Sequence, residues 1–228
     1  MGVWWAVKAW WWCGKEMATM KTITITKTTT NTMSAQPKTF ISEEEYLRRE
    51  RLADYKSEYY QGEIFAMAGA SFSHNIITAS TTTALNNALR GKGCYAMSND
   101  MRVHIPENSL YTYPDITVVC GKADLLPNTF DTLLNPTLLL EVMSDSTEEY
   151  DRNAKFRLYR SIPSLREYVL VSQHEYFIAS YCRNDRQEWI YTDAEGVESS
   201  LHLASLEVTL LVSDVYANLE LPPRPLRF

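Results

Sequence analysis

The segment Thr137-Leu138-Leu139-Leu140-Glu141-Val142-Met143 constrains this chain more than any other stretch. A short, nearly all-apolar run bounded by turn residues has no face to offer water. It reads as a central β-strand covered by a layer on each side. One carboxylate, Glu141, follows the three leucines. A buried acid there is costly unless it is paired or bound to a metal.

The text around this strand alternates helix and strand signals. Ser42 followed by Glu45 is a capping box, predicting a helix to about Asp54. Tyr59 to Met67 reads as a hairpin turning at Gln61-Gly62. Ser73 is a candidate cap for a helix carrying Ile76, Ile77, Ala84, Leu85 and Leu89, which Gly91 and Gly93 end. Cys94–Met97, Met101–Ile105 and Asp115–Cys120 look like strands, with residues 106–114 a polar, turn-rich connection. Residues 148–161 look helical up to Ile162-Pro163. Glu167–Val171, Tyr176–Cys182 and Glu188–Tyr191 read as strands, and a short helix near Ser213–Leu219 closes the domain. The expected fold class is α/β, a central mixed β-sheet flanked by helices.

The chain's 228 residues suffice for one domain and a tail. Five of the six tryptophans lie in residues 1–33 (Trp4, Trp5, Trp10, Trp11, Trp12), ahead of a Thr-rich stretch. Lys8 interrupts the apolar run, bulky residues stand where a signal peptide needs small ones, and the run is too short to cross a bilayer. Residues 1–33 are therefore expected to be a disordered or spurious extension, and 34–228 the domain, with no membrane association. The extension holds four Lys and one Glu, so the remainder has 18 basic against 27 acidic residues. That balance argues against a sequence-independent DNA coat. It is compatible with an enzyme that gathers acids around a metal. Cys13, Cys94, Cys120 and Cys182 show no zinc-ligand spacing; Cys94, Cys120 and Cys182, in apolar text, read as small core hydrophobes, which fits a reduced, cytoplasmic setting.

Asp115 follows Pro114 at the mouth of an apolar strand, and Glu141 ends another. Each acid could simply mark a strand terminus. On neighbouring strands they would form one anionic site suited to Mg²⁺ or Mn²⁺. Asp151, Lys155 and Tyr159 recur at four-residue steps, so on a helix they share a face. This is either an ordinary surface ion pair or a lysine aimed at the strand ends. His74, at the start of a helix, and Glu63, after the hairpin turn, are weaker candidates.

In order and spacing these residues resemble the restriction-endonuclease-like family, widespread in bacteria, within the PD-(D/E)XK nuclease superfamily. The resemblance runs over roughly residues 38–220. It rests on Thr39-Phe40-Ile41-Ser42-Glu43-Glu44-Glu45-Tyr46-Leu47, Tyr60-Gln61-Gly62-Glu63-Ile64, Met67-Ala68-Gly69 and His74. It continues through Ser98-Asn99-Asp100-Met101-Arg102-Val103, Tyr113-Pro114-Asp115-Ile116, Leu140-Glu141-Val142-Met143-Ser144-Asp145-Ser146-Thr147 and Ile162-Pro163-Ser164-Leu165-Arg166-Glu167-Tyr168. It implies Mg²⁺-dependent cleavage of a DNA phosphodiester. Asp115 and Glu141 would hold the metal, Glu63 and His74 would line the site, and Lys155 would supply the superfamily lysine. A homodimer would suit two-strand cutting. The superfamily places a lysine two residues after the second acid, where this chain has Met143, so Lys155 must substitute. The alternatives are an inactive nuclease-fold module that binds nucleic acid or protein, or a small phosphohydrolase acting on nucleotides.

Overall fold

The computed structural model describes residues 39–221. The expected extension, its tryptophan cluster and the 33/34 boundary lie outside them. Thirteen strands and four α-helices are described. The strands are β1 (Ser57–Tyr60), β2 (Glu63–Ala66), β3 (Cys94–Ser98), β4 (Arg102–Ile105), β5 (Leu110–Thr112), β6 (Ile116–Cys120), β7 (Thr132–Leu133), β8 (Leu138–Met143), β9 (Glu167–Ser172), β10 (Phe177–Arg183), β11 (Trp189–Glu195), β12 (Ser200–Leu203) and β13 (Val208–Leu211). The helices are α1 (Glu43–Glu50), α2 (Phe72–Ala88), α3 (Phe156–Tyr159) and α4 (Val212–Val215).

The strands form two mixed sheets and a separate hairpin rather than one sheet. The six-stranded sheet has the order β11-β10-β9-β8-β6-β3 and the five-stranded sheet β2-β1-β5-β4-β7, while β12 pairs with β13. In the larger sheet only β8 and β9 run parallel. A parallel neighbour needs a crossover, usually helical, and the segment containing α3 supplies it. As its composition predicts, β8 is buried along its whole length. Alternation sends Leu138, Leu140 and Val142 into a core shared with α2, α4 and the β12–β13 hairpin. Leu139 and Met143 enter a second core with α3 and the smaller sheet. Glu141 shares the second face, so its carboxylate points toward the crossover segment.

Ser42 caps α1, its side chain accepting from the Glu45 amide at 3.2 Å. For α2 the expected cap was Ser73, but Ser71 fills that role, accepting from the His74 amide at 3.1 Å. The expected connection over residues 106–114 contains a single 3₁₀ turn and the buried strand β5. The β12–β13 hairpin was not anticipated. The expected continuous helix over 148–161 is instead a wide π-helical turn, Tyr150–Lys155, leading into α3.

The cysteines also differ from expectation. Cys94 and Cys120 oppose one another in the antiparallel β3–β6 register and are joined by a disulfide. Cys182 is free and half-buried. Cross-strand partners 26 residues apart in sequence cannot be recognised from spacing alone, and the pairing removes the cysteine argument for a reducing compartment. Among the described residues no helix is long and apolar enough to cross a membrane.

Candidate active site

Strand register brings the two acids to the same end of the β6–β8 pair. In the antiparallel β6–β8 pair Ile116 faces Leu140. Asp115 immediately precedes β6 and Glu141 immediately follows Leu140 on β8, so both acids stand at this end of the ladder, and the charge of Asp115 acts on Glu141. Each carboxylate is oriented by its own partners. Asp115 Oδ2 accepts from the backbone N–H of Val142 at 2.8 Å and lies 3.1 Å from His74 Nε2. Ser71, by capping α2, fixes the helical turn that brings His74 there. His74 Nδ1 is buried with no hydrogen-bond partner.

Glu141 Oε1 accepts from the Tyr159 hydroxyl at 2.8 Å and lies 3.1 Å from Lys155 Nζ. Lys155 Nζ is also 3.5 Å from Asp151 Oδ1. The four-residue spacing noted in the sequence thus brings Asp151, Lys155 and Tyr159 to Glu141. The surface-pair alternative does not hold, because Asp151 is 2% exposed and the lysine side chain only 12% exposed.

The charges do not balance. Burial pushes the Glu141 carboxyl up to about 8; Lys155 pulls it down, while Asp115 and Asp151 push it further up. Burial likewise raises Asp151, with Lys155 opposing. Burial works against the charge of Lys155, but Glu141, Glu58 and Asp151 outweigh it and hold the ammonium well above its ordinary range. One lysine therefore faces several acids in a region of low dielectric, where excess negative charge is expensive.

Glu58 had not been singled out in the sequence. On β1, it accepts from Thr112 Oγ1 at 2.5 Å, and Thr112 lies 3.3 Å from the Tyr159 hydroxyl that donates to Glu141. Its charge raises the Lys155 ammonium and the Tyr159 phenol. Glu63, the acid chosen from sequence, stands at the start of β2 opposite Tyr60. Strand alternation puts it on the same sheet face as Glu58. No local pattern distinguishes the two acids. Alternation from the hairpin turn would have placed both on this face, but Thr112 is 54 residues from Glu58 in sequence.

The residues fit a hard divalent cation. Mg²⁺ is commonly held by one or two carboxylates and completes its shell with water and phosphate oxygens. Asp115 and Glu141 are the carboxylates that would hold one, and its charge would offset the negative excess. Among the described residues no group of three or more His, Cys, Asp and Glu has metal-holding geometry, so a closed zinc-type cage is not the match. Met143, in the position of the superfamily lysine, is 2% exposed and packed in the second core. The cation at this site comes from the crossover segment instead.

Known proteins are similar to this chain. The Uma2 family model, described as "Putative restriction endonuclease", matches residues 43–213. Two proteins of Synechocystis sp. (strain ATCC 27184 / PCC 6803 / Kazusa) are similar. Uncharacterized protein slr1290 is 37% identical over 179 residues, 78% of this chain and 93% of its own length. Uncharacterized protein sll1609 is 35% identical over 164 residues, 72% of this chain and 93% of its own length. A solved structure, that of "a putative nuclease belonging to DUF820" from Anabaena variabilis ATCC 29413, has a TM-score of 0.63 at 16% identity. The match covers 78% of this chain and 98% of that one, and shows a common fold. Because the family model spans most of the sequence, this chain belongs to the Uma2 family of restriction-endonuclease-like proteins.

Proposed function

We propose that the protein is a Mg²⁺-dependent endonuclease, able to use Mn²⁺, that hydrolyses DNA phosphodiester bonds. The observation that supports this reading is the cluster at the end of the β6–β8 ladder, where the charge of Asp115 acts on Glu141 and Lys155 Nζ lies 3.1 Å from Glu141. Asp115 and Glu141 would hold the cation, which when bound supplies Lewis acidity toward phosphate and a more acidic water. His74 and the Val142 amide fix the direction of the Asp115 oxygens. Tyr159 fixes Glu141. Lys155 orients the attacking water and stabilises negative charge developing on the phosphate. Glu58 helps hold Lys155 as ammonium, and Glu63, along the same sheet face, is assigned to the outer solvent shell of the site. DNA as substrate implies a cytoplasmic place of work, and two-strand cutting implies a homodimer.

A plasmid-cleavage assay with Mg²⁺ tests this, comparing the wild type with Asp115→Ala and Glu141→Ala. Both variants are expected to lose cutting, and equal cutting by all three would end the assignment. A second reading, a binding module without catalysis, draws on Met143 and on the acidic net charge. DNA binding without divalent-metal uptake in a calorimetric titration would select it.

A further inference from the structure

A pocket of about 500 Å³ opens between the β1–β2 hairpin and the crossover segment. Its base is apolar, formed by Leu110 and Leu158. Aromatic rings stand around it: Tyr60 from β1, Phe65 from β2 and Tyr150 from the π-helical turn. Phe65 and Tyr150 are 47% and 43% exposed, so their rings are open to a ligand. Arg157 lies at the rim with its side chain exposed.

This pocket is continuous with the carboxylate site. Glu58 lines it and also charges Lys155. Tyr150 lines it, and Lys155 Nζ lies 5.9 Å from the centre of the Tyr150 ring. The π turn explains that contact. In a helix of i→i+5 hydrogen bonds, residues five apart stack on one face, and such turns are frequent at functional sites. Lys155 can therefore address the acids while Tyr150 lines the neighbouring pocket.

We infer that the pocket receives an unpaired nucleobase of the substrate strand, so that the preferred substrate is single-stranded or locally unpaired DNA. This rests on the nuclease reading and adds a substrate class to it. Aromatic faces beside a phosphate-handling centre are the chemistry that holds unstacked bases, and a rim arginine suits the adjoining phosphate. The volume is that of a small-ligand site and excludes a stacked duplex. A duplex nucleotide would have to leave its stack to enter, which is least costly where pairing is already broken.

The test is fluorescence anisotropy in EDTA, so that binding is read without cutting. The probes are a labelled single strand, the matched duplex, and a duplex with one unpaired base. The wild type is expected to bind the single strand and the interrupted duplex about tenfold more tightly than the matched duplex. Phe65→Ala and Tyr150→Ala should each weaken single-strand binding about tenfold. Tyr95→Ala, an exposed ring on β3 at the edge of the other sheet, should change nothing. Unaltered single-strand binding in both pocket variants, or equal binding of the matched duplex, would overturn the pocket assignment. If Mg²⁺-dependent cutting persisted alongside that result, the nuclease reading would stand alone. Aromatic-dependent binding by a protein that cuts nothing would support the pocket and sink the nuclease reading.

Discussion

The two central parallel strands each bury a glutamate, and the two are treated in opposite ways. Glu167 opens β9 and is fully buried. It accepts from Ser180 Oγ at 2.6 Å, Ser205 Oγ at 2.7 Å and the Ser205 amide at 3.1 Å. These donors are all neutral, and the bonds tie β9 and β10 to the turn of the β12–β13 hairpin. Glu141, toward the far end of β8, is 3% exposed, but its surroundings are charged: Lys155 on one side, Asp115 and Asp151 on the other. Burial alone therefore does not mark a functional acid. An acid satisfied by hydroxyls and an amide is a structural tie. An acid left in a cluster with surplus negative charge is poised for a cation.

The widest separation between the two is expected in catalysis. Glu141→Ala should lower Mg²⁺-dependent cutting by about 10³-fold, equivalent to ~4 kcal/mol of barrier. Glu167→Ala, assayed where it remains folded, should stay within about twofold of wild type because it touches nothing that handles phosphate. Time courses of plasmid cleavage check both, and comparable losses would dissolve the distinction.

Stability should run the other way. Glu167→Ala leaves the Ser205 amide and two hydroxyls short of an acceptor in a dry region, a cost of about 3 kcal/mol. Glu141→Gln, in metal-free protein, removes a carboxylate crowded by Asp115 and Asp151 while keeping its shape. Its urea-unfolding free energy should lie within ~1 kcal/mol of wild type. A large loss for Glu141→Gln would mean that the cluster is a folding element.

Lys155→Met sharpens the charged end further. Loss of the ammonium should reduce cutting by about 10²-fold, or ~2.7 kcal/mol. Metal binding should survive and even tighten, since a competing cation has left Glu141. Calorimetric Mg²⁺ titration of the variant decides whether lysine and metal act separately; abolished uptake would show that Lys155 builds the site.

How much of this was legible follows from the range of each signal. β8 was readable because all-apolar composition is local, and the α1 cap because Ser42 and Glu45 are three residues apart. Asp115 and Glu141 stood out as acids in apolar text. Their arrival at one end of the same strand pair, by contrast, is a property of β6–β8 register, and the Cys94–Cys120 link of β3–β6 register, which no local pattern encodes. Strand β5 was hidden because Leu110, Tyr111 and Thr112 are too few to show a period. Ser71 and Ser73 offer the same hydroxyl, and only the backbone entering α2 chooses between them. Family resemblance supplied Lys155 as the replacement for Met143. Spacing then said which helix face it shares, but not that the face turns inward.

The smallest effect concerns a third buried titratable group, away from both glutamates. His104 on β4 stacks on Tyr111 with ring centres 3.9 Å apart, and its Nδ1–H donates to the Leu110 carbonyl at 3.2 Å. Glu43 Oε2 lies 3.8 Å from Nε2. Burial lowers the imidazole pKa, and Arg102 adds to that; the Leu110 carbonyl, Glu43 and Glu107 oppose without reversing it. The folded protein then binds fewer protons than the unfolded chain just below the ordinary histidine value. The stability contribution is complete above about pH 6.5 and is lost as pH falls through the lower folded value. His104→Phe keeps the ring on Tyr111 and removes the titration. Denaturation midpoints between roughly pH 8 and pH 5 should therefore fall less steeply in the variant than in wild type, by less than the Glu167→Ala cost. Parallel slopes would mean that acid sensitivity belongs to the carboxylates. The division between a hydroxyl-tied acid and a charge-crowded one would then need a term for how each responds to protons.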